Sequence, residues 1–384
     1  MTTTINNEHK KLNVPNLRFK EFKGEWEKTK FGDIATGFDY GMNAAAKNYD
    51  GVNKYIRITD IDEASSAYTD KDIVSPDGVL TDNYLVNNRD ILLARTGAST
   101  GKSYLYKKSD GNLYFAGFLI RANVTTHDPY FVFSQLHTHR YWRWVSIMSA
   151  RSGQPGINSQ EYSSFPIFTT SIDEENKIAK LLSLLDERIA TQNKIIDKLQ
   201  SLIKGIRNDV YGKLRKSVGF NAMISDVLSY EQPQPYIVEN TEYTTEGIPV
   251  LTANKAFVLG YTSETNGIYD KGDCIIFDDF TLDCKYVDFP YKIKSSAIKI
   301  LTAKNKELLR YTFEFLKYLD LSTEEHKRHY IAETQNQEFI LPTMHIVSTI
   351  AHTFSALSLR MESVVKQRNM FETQKQYLLR QMFI

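Results

Sequence analysis

Hydrophobic residues recur at alternating steps of four and three residues along two stretches of the chain, 178–210 and 350–382. A polar side chain interrupts the ten positions once in the first stretch and twice in the second. An average spacing of about 3.5 residues is typical of a coiled-coil seam. The pattern therefore predicts two long helices, whose contact residues would be Ile178, Leu182, Leu185, Ile189, Ile196, Leu199, Ile350, Phe354, Leu357, Met361, Phe371 and Leu378.

The ends of the first helix have signals of their own. Ser171 and Glu174 have the spacing of a capping box, and Gly212 is of a residue type at which helices commonly end. A helix over about 173–211 would be roughly 57 Å long at 1.5 Å per residue. Because that length exceeds the size of a compact domain, we expect the helix to project as a rod.

The two stretches belong to an internal repeat of the sequence. A shift of 172 residues aligns Ile178 with Ile350. Upstream the shift grows steadily, as loop trimming in one copy would produce, whereas chance matches would scatter. The upstream matches, at shifts of 193, 183 and 176 residues, are Asp33 with Asp226, Asp90 with Asp273, and Pro166 with Pro342.

Each copy places short strand-like runs and one helical stretch ahead of its long helix. The runs include "DILLAR" and "FLIRANV" in the first copy and "DCIIF" and "AIKIL" in the second, and the helical stretches lie near 130–148 and 306–320. We predict an α+β fold with a pseudo-two-fold internal repeat, in which two mixed α/β modules are separated by two long antiparallel coiled-coil helices. In the symmetric register, facing residue numbers on the two helices add to 560. The predicted boundaries are 15–170 and 213–343 for the modules and 171–212 and 344–384 for the helices.

Composition narrows the class of protein without identifying it. With 42% hydrophobic and 24% charged residues the chain has an ordinary globular composition, and a net charge of +1 means that any phosphate-binding surface must be local. Cys274 and Cys284 lack metal-site spacing and adjacent histidines, so we expect two buried thiols. The sequence has no run of about 18 apolar residues and no signal-peptide pattern, so we expect a cytoplasmic protein without membrane contact.

One glycine-rich loop, "RTGASTGKS" at 95–103, is similar to a nucleotide-phosphate loop but departs from it. A Walker A loop has four residues between its first glycine and Gly-Lys-Ser, whereas three separate Gly97 from Gly101. The spacing therefore disfavours nucleotide hydrolysis. Glycines, hydroxyls and two cations also suit a DNA backbone or groove edge, and the alternative is a tight turn between strands. The candidate DNA contacts in this loop are Arg95, Thr96, Gly97, Ser99, Gly101, Lys102 and Ser103.

Further candidates for DNA contact come from a second loop, from the run "YIRITDI" of the first copy and from matching positions in the second copy. "ARSGQPGINSQEY" supplies side chains that can bond to guanine, adenine or phosphate, although the run can also simply turn the chain. Its counterpart, "HKRHYIAETQNQEF", is equally compatible with a solvated helix end. The counterpart of the first loop, "FDDFTLDCKY", has lost the glycines, so the two modules should read different sequences. These further candidates are Arg57, Thr59, Arg151, Gln154, Asn158, Thr252, Asn254, Lys255, Lys285, Lys327 and Arg328.

Signals for catalysis or metal binding are weaker. "DPYF" at 128–131 lacks the second proline of the adenine methyltransferase motif, and Asp128 followed by Pro129 instead predicts a helix N-terminus. His137 and His139 are two residues apart on that helix, so they point to different faces. We therefore predict no catalytic residue and no metal site on this chain.

Three segments resemble the specificity subunit of type I restriction–modification systems: "NVPNLRFKEFKGEWEKTKFGDIATG", "RDILLARTGASTGKSYLY" and "FPIFTTSIDEENKIAKLLSLLDERI". The resemblance extends over nearly the whole chain through the order module, helix, module, helix, although "HIVSTIAHTF" lacks the acidic start of the first long helix. It implies two target-recognition domains, each reading one half of a split, asymmetric site in double-stranded DNA. The helices would act as a ruler between them.

The resemblance also implies partners. The helices would dock two modification (adenine methyltransferase) subunits, and restriction (endonuclease/translocase) subunits would then join. The specificity subunit is itself non-catalytic, so S-adenosylmethionine, ATP and Mg²⁺ are expected on partner subunits and no cofactor on this chain. A rival interpretation is an interaction scaffold that only dimerises through its coiled coil, which leaves the matched glycine- and amide-rich loops unexplained.

Overall fold

A computed structural model describes residues 12–150, 154–253, 256–323, 325 and 327–384. These residues belong to two compact units: the first extends to Thr191 and includes Arg368–Ile384, and the second comprises Gln192–Gln367. Each long helix contributes residues to both units. Three predicted contacts lie outside the described residues, namely Arg151, Asn254 and Lys255.

Short strands and helices alternate along the first unit. Its strands are β1 (Glu27–Lys30), β2 (Ala35–Tyr40), β3 (Ala45–Asn48), β4 (Asn53–Ile56), β5 (Val74–Asp77), β6 (Asp90–Ala94), β7 (Ser103–Leu105), β8 (Asn112–Phe115), β9 (Leu119–Val124) and β10 (Pro166–Thr169). Its helices are α1 (Phe31–Ile34), α2 (Pro129–Gln135), α3 (His139–Met148), α4 (Ser159–Ser163) and the first part of α5 (Ile172–Ser217).

The centre of the first unit is a four-stranded antiparallel sheet in the order β2–β9–β6–β7. Strand β6 is a short apolar run with all five residues buried, the pattern of a central strand. Strand β1 pairs with β10, β3 with β5, and β4 runs parallel to β8. Trp26, Phe131 and Tyr141 form the main core together with Leu182 of α5 and Phe383.

The second unit has the same mixture of elements. Its strands are β11 (Ala222–Met223), β12 (Leu228–Glu231), β13 (Ile248–Leu251), β14 (Val258–Thr262), β15 (Cys274–Asp278), β16 (Cys284–Val287), β17 (Lys292–Ile293), β18 (Ile298–Ala303) and β19 (Glu338–Phe339). Its helices are the rest of α5, α6 (Ile224–Val227), α7 (Lys306–Leu319) and the first part of α8 (Met344–Gln381). Its main core contains Tyr211, Phe315, Phe339 and Phe354.

The second unit repeats the four-stranded sheet and the parallel strand pair of the first, which confirms the predicted α+β fold with an internal repeat. Its antiparallel sheet has the order β12–β18–β15–β16, and the parallel pair β13–β17 corresponds to β4–β8. The matched aspartates do the same work: Asp33 accepts a hydrogen bond from the N–H of Lys30 at 3.0 Å, and Asp226 from that of Met223 at 2.8 Å. Each fixes the start of a short helix, α1 or α6.

The predicted match of Pro166 with Pro342 is wrong. In the β1–β10 pair Lys30 faces Pro166, and in the corresponding β11–β19 pair Met223 faces Glu338. Pro166 therefore corresponds to Glu338, at the same shift of 172 residues that relates the long helices. The proline shared by the two copies at these positions therefore does not mark equivalent places in the paired strands.

The first long helix does not end at Gly212 as predicted; α5 continues to Ser217. Tyr211 is fully buried and its hydroxyl donates to a backbone carbonyl of α7 at 2.7 Å. This packing offsets the roughly 1 kcal/mol cost of a glycine inside a helix. The chain leaves the helix just before Gly219, which has a left-handed φ of +75° and donates its N–H to the carbonyl of Leu214 at 3.2 Å.

Half of the predicted capping box forms at the start of α5. The hydroxyl of Ser171 accepts from the N–H of Glu174 at 3.4 Å. The Glu174 carboxylate does not return the bond; it is buried and binds Arg18 through two contacts of 2.7 Å. Burial alone would raise the pKa of Glu174, but the hydrogen bonds from Arg18 and Thr170 leave it below its usual value. Burying an unpaired carboxylate costs more free energy than leaving one helix cap unmade, so the Glu174 carboxylate pairs with Arg18.

The long helices α5 and α8 run antiparallel where they meet, as predicted. In each contact the two residue numbers add to 559 or 561, which is within one residue of the predicted sum of 560. The contacts are Asp186 with Lys375 (2.6 Å between Oδ1 and Nζ) and Arg188 with Phe371 (5.6 Å from guanidinium to ring centroid) in the first unit, and Arg207 with Phe354 (5.8 Å) in the second.

No predicted seam residue is exposed. The half-buried members lie in the middle of the helices, and the buried ones lie beside the cores of the two units. Buried are Ile178, Leu182, Leu185, Ile350, Phe354 and Leu378; half-buried are Ile189, Ile196, Leu199, Leu357, Met361 and Phe371. Two packed helices cover only a narrow stripe of each other, so the seam side chains in the middle of each helix remain partly accessible to solvent.

The stretch predicted as one helix at 130–148 is divided into α2 and α3. Thr138 begins α3 by accepting a hydrogen bond from the N–H of Tyr141 at 3.4 Å. The predicted start of α2 is confirmed, since Asp128 accepts from the N–H of Phe131 at 2.8 Å and Pro129 occupies the first helical position. Across the described ranges, no helix is both long enough and apolar enough to cross a membrane.

Candidate nucleic-acid interface

The two loops that were predicted as DNA contacts in the first copy form one surface. The N–H of Gly97 donates to the carbonyl of Pro155 at 2.9 Å, and the N–H of Ile157 donates to the carbonyl of Arg95 at 2.9 Å. The amide of Gln154 lies directly over Gly97, 3.1 Å from the position that a Cβ would occupy. The sequence placed these loops some 50 residues apart, and the fold brings them side by side.

Glycine is required at two positions of the first loop. Gly97 and Gly101 have φ values of +68° and +93°, which side-chain-bearing residues rarely adopt. The N–H of Gly101 donates to the carbonyl of Ala94 at 3.0 Å and to the hydroxyl of Tyr162 at 3.1 Å. Its carbonyl accepts from the hydroxyl of Tyr141 at 2.8 Å. Buried tyrosines therefore hold the loop at its base.

We expect Gly101→Ala to lower the free energy of unfolding of the first unit by about 2–4 kcal/mol. A Cβ there would lie 2.8 Å from Val145 and 2.9 Å from Trp142, in addition to the strain of a positive φ. Urea unfolding followed by tryptophan fluorescence measures the loss, because the chain's three tryptophans all lie in the first unit. Gly51→Ala is the control: it has a φ of +89° but open space, and should lose about 1 kcal/mol. Equal losses in both variants would contradict the packing argument.

Arg95 lies close to two exposed aromatic side chains that were not predicted as part of the site. Tyr40 and Phe118 are 45% and 56% exposed, and their ring centroids lie 4.9 and 5.9 Å from the guanidinium carbon. Tyr40 is the last residue of β2, and Phe118 directly precedes β9. No motif marks them, and the only signal available was a pair of aromatic residues at strand ends.

Lys102 lies at the rim of a cavity of about 620 Å³ in the first unit. Its ammonium is 3.5 Å from a carboxylate oxygen of Glu63, and its side chain is 19% exposed. The cavity is also lined by His137, Trp142 and Arg380. Lys102 is therefore paired with an acid, and a DNA phosphate would have to displace that acid to bind it.

His137, which lines this cavity, is held in its neutral form. Burial and the nearby Lys375 lower its pKa to about 4, and its ring nitrogens lie 2.9 Å from the carbonyl of Phe133 and 3.0 Å from the hydroxyl of Ser66. A lowered histidine pKa adds stability that is complete above the unfolded value of about 6.5 and is lost as the pH falls towards 4.

We therefore expect His137→Gln to flatten the pH dependence of stability between about 6.5 and 4. Urea unfolding at several pH values, read by tryptophan fluorescence, gives the slope for the variant and for the natural chain. Gln154→Ala removes an exposed, non-ionisable side chain of the same unit and should leave the slope unchanged. The explanation would be wrong if both variants kept the natural slope.

Three predicted contacts in the first unit have structural roles in the fold. Ser103 is 2% exposed within β7, because the alternation of the strand turns it inward. Asn158 caps α4, accepting from the N–H of Glu161 at 2.9 Å. Arg57 is occupied by Asp60, with Nε–Oδ2 and Nη2–Oδ1 distances of 2.8 and 2.7 Å. Of the other candidates, Thr59 and Gln154 are exposed, and Thr96, Ser99 and Lys102 are half-buried.

The second unit also joins its two predicted loops, but through acidic side chains. One carboxylate oxygen of Asp279, in the loop after β15, accepts from the N–H of His329 at 3.0 Å and of Tyr330 at 2.7 Å. Asp278 closes the turn, since its Oδ1 accepts hydrogen bonds from the N–H groups of Phe280 and Thr281 at 2.9 Å each. Aspartate thus replaces glycine as the device that shapes the loop.

The predicted contacts of the second unit differ in accessibility. Thr252 is 8% exposed, so its side chain is not at the surface. Lys327 is exposed, but its ammonium lies 2.6 Å from Glu325 and 2.8 Å from Glu333, which neutralise it. The remaining two are Lys285, which is half-buried in β16, and Arg328, which is exposed.

The cysteines match the prediction of buried thiols. Cys274 and Cys284 are free and buried, and burial raises the pKa of their thiols to about 12 and about 11. Protonated thiols are poor nucleophiles and poor metal ligands. Within the ranges that the structure covers, no cluster of three or more His, Cys, Asp and Glu side chains could hold a metal ion.

A repeated α+β framework that carries a joined pair of loops in each unit defines a two-module architecture. One family model matches part of the chain. Residues 23–201 match the family described as the type I restriction modification DNA specificity domain. The resemblance to the specificity subunit of type I restriction–modification systems is thereby confirmed.

Two curated relatives are similar to parts of the chain. The specificity subunit of the type I restriction enzyme EcoR124I/EcoR124II from Escherichia coli is 44% identical over 126 residues, which are 31% of this chain and 31% of that protein. The specificity subunit of the type I restriction enzyme MjaVIII from Methanocaldococcus jannaschii is 26% identical over 204 residues, 51% of this chain and 45% of that protein. The matches thus span about a third to a half of each relative's length.

One solved structure matches almost the whole fold. The S subunit of a type I restriction–modification system from M. genitalium superposes with a TM-score of 0.66 over 97% of this chain and 99% of that one, at 14% sequence identity. The likeness confirms the predicted fold, including the two long helices.

Proposed function

We propose that this chain is the DNA-specificity subunit of a type I restriction–modification complex and is itself non-catalytic. Each unit would read one half of a bipartite target in double-stranded DNA. The observation that carries the proposal is the joined pair of loops in each unit, built on the same strand framework from different side chains. Glycines shape the first pair and aspartates the second, which favours two different half-sites and hence an asymmetric target.

The charge distribution supports DNA contact at a few local positions. With a net charge of +1, the chain has no general attraction for DNA, so affinity depends on which cations are free. Arg57 and Lys327 are held by acids, whereas Arg328 is exposed and Arg95 faces aromatic rings. Phosphate contacts would supply affinity, and a few side chains in each unit would supply specificity.

The long helices would dock two modification subunits, which restriction subunits would join. Two observations support docking on the helices: the seam residues in the middle of each helix are only half-buried, and exposed apolar side chains lie nearby. Those exposed side chains are Leu184, Leu202, Leu359 and Met370. S-adenosylmethionine, ATP and Mg²⁺ would then bind to the partner subunits, and no cofactor would bind to this chain.

Mapping methylated adenines tests the proposal directly. Expressing the chain with its modification subunits in a host that lacks them should create methylation at one bipartite, asymmetric sequence. Omitting this chain, while keeping the modification subunits, is the control and should abolish the pattern. The scaffold interpretation predicts the opposite: a pattern of methylation that is the same with and without this chain. Stoichiometric binding of ATP or S-adenosylmethionine to the isolated chain would also contradict the proposal.

If α5 and α8 set the distance between half-sites, one extra heptad in each helix should lengthen the unspecified spacer. Seven residues add about 10 Å, which corresponds to about three base pairs at 3.4 Å each. The insertions belong after Thr191 and before Arg368, at the borders of the two units. A heptad in only one helix is the control, since it breaks the register and should abolish methylation. An unchanged spacer would refute the ruler.

A further inference from the structure

We infer that Arg95 reads a guanine in the half-site of the first unit, with Tyr40 and Phe118 holding it in place; the inference rests on the proposed function. The side chain makes three contacts. Its Nε donates to the carbonyl of Gly117 at 3.0 Å, and the centroids of the two rings lie 4.9 and 5.9 Å from its guanidinium carbon.

The backbone of Arg95 is fixed as well. Its N–H donates to the carbonyl of Phe118 at 3.0 Å, and its carbonyl accepts from the N–H of Ile157 at 2.9 Å. The guanidinium is therefore oriented before any ligand arrives, which lowers the entropy that binding would cost. An orienting cage of this kind is unnecessary for a salt bridge with a flexible surface acid.

The terminal nitrogens of Arg95 remain available. Among the residues that the structure describes, neither Nη1 nor Nη2 has a hydrogen-bond partner, because the internal contact uses Nε alone. Two parallel N–H donors in one plane match the O6 and N7 acceptors of guanine in the major groove. Arg57 is different: Asp60 occupies its Nε and Nη2.

The surroundings favour a base over a phosphate. The surface next to the guanidinium is aromatic, and the other cation of the same loop, Lys102, is directed to Glu63. The exposed amide of Gln154 lies over the adjacent Gly97, and an amide is the group that pairs with adenine. Apolar rings, an amide and a forked cation together suit base edges, whereas phosphates are usually held by several cations and backbone N–H groups.

The experiment uses this chain assembled with its modification subunits and measures methylation rates on a library of half-site variants. With Arg95→Gln, we expect the preference for guanine at one position of one half-site to fall by about 5- to 150-fold, the range of a bidentate arginine–guanine pair. The other half-site should keep its sequence. Arg95→Lys should lose most of the same preference, because an ammonium has no fork.

Lys102→Gln is the matched control in the same loop: because its ammonium is directed to Glu63 and not to the aromatic surface, the change should leave every base preference as it is. Tryptophan fluorescence checks that each variant keeps the fold of the first unit. A uniform loss of rate in Arg95→Gln, or unchanged base preferences, would overturn the inference while leaving the proposed function intact. The proposed function itself would fail if the unaltered chain imposed no sequence preference on methylation.

Discussion

Replacing Glu314 with alanine should destabilise the second unit by about 3–5 kcal/mol, because it leaves two arginines without their shared acid. The Glu314 side chain is 2% exposed and lies 2.7 Å from Nη2 of Arg207 and 2.8 Å from Nη2 of Arg310. The three residues come from α5 and α7, so the triad fastens the first long helix to the helix of the second unit. Arg310 also donates to the carbonyl of Phe354 in α8, at 3.2 Å.

Hydrogen–deuterium exchange of α7, read by mass spectrometry, measures this local loss of stability. Asp209→Ala is the matched control: it breaks an exposed ion pair of 2.7 Å with Lys213 in the same part of α5, and should change stability by less than about 0.5 kcal/mol. If Glu314→Ala and Asp209→Ala had similar effects, the buried triad would not be holding the helices together.

The sequence was sufficient to predict the elements that depend on local periodicity. The seam residues, the start of α2 and the central strand β6 all follow from patterns within one stretch of chain. Even the antiparallel register of α5 and α8 was predictable, because the internal repeat imposes a symmetry on it. Gly212 shows the limit: tertiary packing around Tyr211 outweighed a helix-stop signal.

The candidate site was predictable in its loops but not in its side chains. Both loop pairs were identified and matched across the repeat, yet the chain cannot reveal which side chains turn inward or serve the backbone. Ser103 faces the interior and Asn158 caps a helix, although their residue types suit DNA equally well. Tyr40 and Phe118 were missed for the same reason, since their role depends on meeting Arg95 across long sequence distances.

Buried charges were the other feature that the sequence concealed. Glu174 and Glu314 are in helical stretches rich in charged residues, where an exposed position is the normal expectation. Their partners, Arg18 and Arg207, lie more than 100 residues away in the chain. Long-range pairs of this kind leave no periodic trace, and only the folded chain shows that these acids are buried and paired.

Phe383→Ala should lower the free energy of unfolding of the first unit by about 3–5 kcal/mol. Phe383 follows α8 and is 7% exposed, with its ring centroid 6.0 Å from that of Trp26 and 5.4 Å from that of Phe131. The end of α8 therefore completes the core of the unit that contains Arg95. Removing the ring leaves a cavity between two large aromatic side chains that cannot easily collapse.

Tryptophan fluorescence during urea unfolding measures this effect directly, because Trp26 contacts the deleted ring. Met370→Ala is the control on α8 in the same unit; its side chain is 62% exposed, and the change should stay within about 0.5 kcal/mol. In the assembled complex, Phe383→Ala should also weaken recognition of the half-site that Arg95 reads, since the loops lose their support. Normal stability in Phe383→Ala would mean that the first unit does not depend on the end of α8.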